Sequence, residues 1–152
     1  MATQLYNSPA EILAVALIAE GIVSDPTGTG EWPCHYAEEP DGPDSPDEVV
    51  TVYDTTGKVD GSSMHGGDLW EHQGFQVRIR ASTHRRGWRK ADEVQQTLAR
   101  GILLENLTIS GKTYVLYCAG DVGAIIALGK QAPNSTRRAW TINGTVAVRA
   151  TN

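Results

Sequence analysis

The chain has 152 residues, of which 40% are hydrophobic and 20% are charged. A domain uses about 100–200 residues, and a chain of this length buries enough surface to fold without a metal or a disulfide scaffold. The composition excludes whole-chain disorder, because disorder requires low hydrophobicity and high net charge. The longest mainly apolar run, residues 12–19, is far shorter than the roughly 20 residues that cross a bilayer. No cationic segment precedes that run, so the chain is expected to be soluble and unexported.

Cys34 and Cys118 are the two cysteines, which are too few for a disulfide framework. A single bridge between them is one alternative. Two reduced thiols in a cytosolic protein are the preferred prediction.

Charge is distributed unevenly along the chain. Residues 1–74 contain 14 of the 18 acidic residues and one base, for a net charge of −13. Residues 75–152 contain 4 acidic and 12 basic residues, for a net charge of +8, and the two values total −5. If this asymmetry survives folding, it gives two faces of opposite sign that steer copies into head-to-tail or ring contact. A basic patch for nucleic acid is the alternative, and folding that mixes the halves would remove the effect.

The N-terminal pattern predicts a helix over residues 9–20. Ser8-Pro9-Ala10-Glu11 has the form of a capping box, in which Ser8 accepts from an early helical N–H and Glu11 reaches back. Apolar residues follow at helical spacing, and Gly21 is a natural stop. Residues 24–48 then carry five prolines and many acidic residues. They predict a long acidic loop, with a short extended piece over 31–37.

The remaining elements follow from alternation and helical spacing. A strand is predicted over 48–54, a loop over 57–73 and a half-buried strand over 75–81. A second amphipathic helix is predicted from Trp88 to Ile102, with Trp88 in the core. Further strands are predicted over 106–110, 113–119, 122–128 and 139–149, with Gly111-Lys112 as a hairpin turn. Together they predict an α+β fold in one compact domain over 1–152, a mainly antiparallel sheet flanked by two helices.

No group of side chains forms a recognisable catalytic, cofactor or metal site. His65, Asp68, Glu71 and His72 are close in sequence, but the intervening glycines argue against a helix that would present them together. A solvated loop is therefore the preferred interpretation of that cluster. Ser62 and Ser63 lack the strand–turn–helix context of a catalytic nucleophile. The glycine pairs Gly28-Thr29-Gly30 and Gly66-Gly67 lack the Lys-Ser/Thr ending of a phosphate-binding loop. We expect no catalysis, no cofactor and no metal.

The strongest local charge feature is a basic segment within residues 78–90. It has three interpretations: contact with an acidic face on a neighbouring copy, which is favoured, binding of nucleic acid phosphates, or plain solvated surface. Trp88 could stack on a base, although its spacing favours the core. The basic residues are Arg78, Arg80, His84, Arg85, Arg86, Arg89 and Lys90.

The order of these pieces resembles the tail terminator (tail-completion, or minor capsid) proteins of long-tailed bacteriophages. The resemblance covers about residues 5–150. It is carried by Gln76-Val77-Arg78-Ile79-Arg80, by Val52-Tyr53-Asp54 and by the late strand Arg137-Arg138-Ala139-Trp140-Thr141-Ile142-Asn143.

The resemblance implies a non-enzymatic structural protein of the virion tail. Such proteins form a six-fold ring on the head-proximal end of the tail tube, stop tube polymerisation and offer a surface for head–tail joining. The implied partners are other copies of the chain, the tail tube protein and a head–neck connector protein. DNA would pass through the ring without specific binding, no membrane is involved, and assembly takes place in the host cytoplasm. A head-completion or neck adaptor protein and a nucleic-acid-binding module are the alternatives, and the second is disfavoured by a pI of about 5.3.

Two sets of interface residues follow from charge alone. One set is predicted to lie at an inter-subunit or tube-facing surface: Arg78, Arg80, Arg85, Arg86 and Arg89. The other is predicted to lie on a flexible acidic loop that orders on contact with a partner: Glu38, Glu39, Asp41, Asp44, Asp47 and Glu48.

Overall fold

The computed structural model describes residues 5–59, 71–102, 105–117 and 122–151. Within these ranges two helices accompany seven strands, most of them antiparallel, which confirms the predicted α+β fold. No helix in these ranges is long and apolar enough to cross a membrane. The elements are α1 (Pro9–Ala19), β1 (Cys34–Tyr36), β2 (Val49–Val59), β3 (Glu71–Ala81), α2 (His84–Gln96), a π-helical turn (Thr97–Gly101), β4 (Glu105–Ile109), β5 (Lys112–Tyr117), β6 (Ile126–Lys130) and β7 (Arg138–Thr151).

The sheet is organised around the long strand β7. Its order is β1-β2-β3-β7-β5-β4, and β6 also pairs with β7. Strand β7 pairs with β3 on one side, and on the other side with β6 near its start and β5 near its end. Strands β1 and β6 therefore form opposite edges of the same half of the sheet. Four strand spacings of about 4.8 Å separate them by about 19 Å.

Helix α1 begins and ends as its sequence predicts. The Ser8 hydroxyl accepts from the Glu11 amide at 3.2 Å, and Gly21 follows the helix with a φ of 79°. The Glu11 carboxylate accepts a hydrogen bond from the Asn7 side chain at 3.0 Å. The Ala10 amide donates to Asp54 at 2.9 Å, which fixes the start of the helix to β2. Most of the helix circumference is apolar, so the helix is buried against the sheet.

Helix α2 begins at His84, four residues before the predicted start, and its buried stripe differs from the prediction. The buried positions are Gly87, Ala91, Val94, Leu98 and Ile102. Trp88 is 46% exposed, so the prediction that it belongs to the core is wrong. The stripe contains Gly87 instead, because α2 crosses the sheet directly over the Trp140 ring.

Strands β2 and β3 are longer than predicted. Residues 57–59 belong to β2 and residues 71–73 to β3, so the loop predicted over 57–73 is wrong at both ends. A bulge between Thr55 and Lys58 interrupts their pairing. Residues 60–70, which include His65 and Asp68, lie outside the described residues, as does Cys118. Strand β6 covers 126–130 rather than 122–128, and the β4–β5 turn is formed by Ser110 and Gly111, both with positive φ.

Candidate interaction surfaces

The acidic loop covers one end of the outer face of the sheet. Val49, Arg80 and Ala139 are neighbours across β2, β3 and β7, and they point away from the helices. All three are at most 1% exposed, although neither α1 nor α2, the helices of the described residues, covers this face of the sheet. Hydrogen bonds from Arg80 to the segment 40–46 show that the loop provides the cover.

The Arg80 side chain holds the loop by binding backbone carbonyl groups of the loop. Its two terminal nitrogens donate to the carbonyl oxygens of Pro40 at 2.7 Å and Pro46 at 2.6 Å, and Glu39 lies 3.8 Å away. Burial lowers the pKa of Arg80 through lost hydration, and the Glu39 carboxylate opposes that shift. Because arginine remains protonated in proteins, the guanidinium is a buried charge bound mainly to carbonyls. The prediction that Arg80 lies at an inter-subunit surface is therefore corrected: its side chain is buried inside the protomer.

Arg137 forms a second contact with the same loop. Its Nε donates to Asp47 at 2.8 Å, and its terminal nitrogens donate to the carbonyls of Ser45 at 2.8 Å and Gly42 at 3.3 Å. Arg137 is not among the residues that the sequence predicts to lie at an interface. It lies about 90 residues from its partners, and its basic position just before β7 was the available signal.

The other acidic residues divide between internal pairs and solvent. Glu39 lies 3.7 Å from Arg78, and Glu48 lies 2.8 Å from Arg86, which also approaches Glu31 at 3.7 Å. The acidic half and the basic half of the chain thus meet inside the protomer, and the charge asymmetry is partly neutralised. The exposed members of the predicted loop set are Glu38, Asp41, Asp44 and Asp47.

A basic and aromatic surface lies between the start of α2 and strand β6. An open groove of about 690 Å³ is lined by His84, Arg85, Trp88, Arg89 and Ala127. Every residue of β6 is exposed, and Leu128 is 52% exposed. Within the described residues, neither Arg85 nor Arg89 makes an ion pair, and β6 pairs only with β7. We call the side chains that line this groove, His84, Arg85, Trp88, Arg89 and Ala127, the Trp88 surface.

The opposite edge of the sheet is acidic and carries an exposed tyrosine. Strand β1 ends at Tyr36, which is 47% exposed, and Ala37 with a φ of 65° turns the chain away. A concave region of about 730 Å³ contains Tyr36, Glu38 and Asp41 together with the rim of the loop. We call Tyr36, Glu38 and Asp41 the Tyr36 edge. The nearby His35 has a lowered pKa, first because it is partly buried and second because Arg80 is close.

The described residues contain no group of three or more histidine, cysteine or acidic side chains placed to hold a metal ion. His72 of the predicted cluster lies in β3, paired with Ala147. Cys34 is a buried free thiol, and burial raises its pKa to about 12. Because the thiolate is the reactive form, this cysteine is unsuited to nucleophilic chemistry.

The comparison with known families decides the identity. The family model described as bacteriophage tail terminator protein matches residues 16–117, about two-thirds of the chain. The chain belongs to the bacteriophage tail terminator family. It is therefore a structural component of a phage tail, in a family whose role points away from catalysis.

No curated protein matches the chain. Fifteen chains of solved structures match. One of them is 14% identical, with 93% of this chain and 97% of that chain covered and a TM-score of 0.49.

Proposed function

We propose that this tail terminator closes into a ring, with six copies as the family resemblance implies, that caps the head-proximal end of the tail tube. The ring stops tube polymerisation and presents its far face to the head. One observation of the fold supports a ring above all others. The protomer carries two different surfaces, basic and acidic, on opposite edges of one sheet. Contact between unlike surfaces is the kind that generates rings.

Capping follows from the geometry of a closed ring. A tube grows because each added layer exposes the same surface that the previous layer exposed. A ring that binds that surface and shows a different one on its far side ends the series. The far side is then available to a head–neck connector, and DNA passes through the central opening without specific contacts.

The predicted arginine set contributes unequally to this proposal. Arg85 and Arg89 are exposed beside Trp88 and are suited to contact between copies or with the tube. Arg86 is half exposed but engaged by Glu48, and Arg78 is 30% exposed beside Glu39. We therefore place Arg85 and Arg89 at the contact and Arg86 at its border. Arg78 lies beside the acidic loop on the outer face of the sheet and is not part of this contact.

Light scattering and negative-stain imaging test the proposal, with the purified protein alone and with isolated tail tubes. We expect a ring, either free or at one end of each tube. A protein that stays monomeric and ignores the tubes would refute the capping role and would favour the neck adaptor alternative. Salt-dependent DNA binding by such a monomer would instead favour the nucleic-acid alternative.

Arginine substitutions test the surface. Replacing Arg85, Arg86 and Arg89 with Glu should abolish rings, because the two cations at the contact and one at its border become anions. Arg85 and Arg89 are exposed, so their replacement should change the unfolding temperature little. Arg86→Glu also breaks the ion pair with Glu48, so this single variant is measured as the control for an effect on the fold. Rings that survive the triple substitution would remove this surface from the proposal.

A further inference from the structure

The Trp88 surface has the composition of a site for an aromatic side chain flanked by carboxylates. Ala127 and Trp88 contribute apolar lining to the groove. Guanidinium groups such as those of Arg85 and Arg89 stack on aromatic rings and pair with carboxylates. A partner that presents an aromatic ring between acidic residues would match all of these features.

The same chain presents such a partner on its opposite edge. Tyr36 is 47% exposed. The Asp41 side chain is 92% exposed, and its ion pair with Arg137 is long, at 3.9 Å. Glu38 is exposed between them. The two surfaces cannot meet within one protomer, because β1 and β6 are separated by the width of β2, β3 and β7. They can meet only between copies.

The edges themselves favour side-chain docking over extension of the sheet. Strand β6 has a bulge between Ala127 and Gly129, and Gly129 has a φ of 75°. Bulges of this kind twist an edge and hinder the addition of another strand. Strand β1 has three residues, and the Ser24 carbonyl already accepts from the Cys34 amide at 2.9 Å.

We propose that the Tyr36 edge of one copy docks on the Trp88 surface of the next copy. Tyr36 packs against Trp88 and Ala127, while Glu38 and Asp41 pair with Arg85 and Arg89. The contact is heterologous, and its repetition closes the ring. This inference rests on the proposed ring and specifies the two surfaces that build it.

A charge-swap experiment tests the pairing directly. One variant carries Arg85→Glu and Arg89→Glu, which makes both surfaces of the protomer acidic. The other carries Glu38→Lys and Asp41→Lys, which makes both surfaces basic. Each variant alone should remain monomeric at concentrations where the wild type is fully assembled. An equimolar mixture should form rings again, because every contact between the two variants joins opposite charges and an even-numbered ring accommodates strict alternation.

Controls separate docking from folding. A variant with Arg100→Glu and Lys112→Glu makes the same charge change at exposed positions outside both surfaces and should assemble as the wild type does. Thermal unfolding of every variant confirms that the fold is intact. If the double Lys variant does not fold, the test is repeated with two single variants, Glu38→Lys and Arg89→Glu, alone and mixed.

Two outcomes would overturn the inference while leaving the ring standing. The first is wild-type rings together with rings from either variant alone. The second is wild-type rings with a mixture that stays monomeric. Failure of the wild type to assemble, both alone and on tubes, would refute the proposed function and this inference together. Assembly of the wild type that weakens as salt is raised would support the charged contact.

Discussion

Replacing Arg80 with Met should destabilise the protein strongly, although the substitution removes a buried charge and nearly preserves volume. A buried ion pair replaced by apolar residues is often neutral, because the desolvation cost disappears with the charges. The acceptors here are the backbone carbonyls of Pro40 and Pro46, which no substitution at Arg80 removes. They lose two charge-assisted hydrogen bonds, and they regain partners only if the loop lifts into water.

The magnitude follows from those two bonds. Hydrogen bonds to a charged group contribute about 1.5–3 kcal/mol each, and relief of the buried guanidinium offsets part of the loss. We expect a net loss of about 2–4 kcal/mol in the free energy of unfolding. For a chain of this size, that loss lowers the unfolding temperature by about 5–12 °C.

Urea denaturation of the purified protein measures the change. Arg85→Met is the matched control, because Arg85 is exposed and its replacement should alter stability by no more than about 0.5 kcal/mol. Cleavage by a protease that acts after glutamate provides a second readout, since the cleavable bonds after Glu38 and Glu48 bracket the held segment. Faster cleavage is expected in Arg80→Met alone. An Arg80→Met protein as stable and as resistant as the wild type would refute the role of this clamp.

Three further outcomes follow from the structure. Gly87→Ala should destabilise the protein by about 1–3 kcal/mol in thermal unfolding. The reason is that the added Cβ would lie 2.8 Å from Trp140 Cε3 and closer to other atoms of the ring. A gain of stability from the higher helix propensity of alanine would contradict this packing. Because the pKa of His35 is lowered in the folded state, the folded state binds fewer protons than the unfolded state. The free energy of unfolding should therefore fall as the pH drops below about 6.5, and His35→Gln should make it depend less on pH in that range. In a Cys118→Ser variant at pH 8, Cys34 of the folded protein should react with iodoacetamide at least about a hundredfold more slowly than Cys34 of the urea-unfolded protein, because burial raises its pKa to about 12. Equal rates in the two states would refute the burial of Cys34.

Local signals in the sequence predicted those elements whose structure depends on neighbouring residues. The Ser8 cap and Gly21 set the ends of α1, and they act within one helical turn. Alternation along β3 placed Phe75, Val77 and Ile79 on the buried face, since a strand has a period of two. These predictions needed no knowledge of the rest of the chain.

The features that the sequence did not reveal depend on contacts between distant segments. The helical spacing that placed Trp88 in the core fits Gly87 equally well after a shift of one residue. Only the Trp140 ring, more than 50 positions away, decides which residue faces the sheet. Likewise, Arg78 and Arg80 occupy equivalent positions in the alternating pattern, yet Arg80 alone is fully buried. Its cover comes from a loop 34–40 residues earlier in the chain.

The buried arginine and the proposed contact between copies are linked through the acidic loop. Arg80 binds the Pro40 carbonyl, and Pro40 lies between Glu38 and Asp41 of the Tyr36 edge. The clamp therefore fixes the backbone that presents those carboxylates, and docking does not have to order that backbone again. Arg80→Met should for this reason weaken ring assembly under conditions where the protein remains folded, although Arg80 touches no neighbouring copy. The measurement is the protein concentration at half assembly, compared with Arg85→Met, which removes a contact directly. Weaker assembly in Arg85→Met together with unchanged assembly in a folded Arg80→Met would show that the edge docks without the clamp.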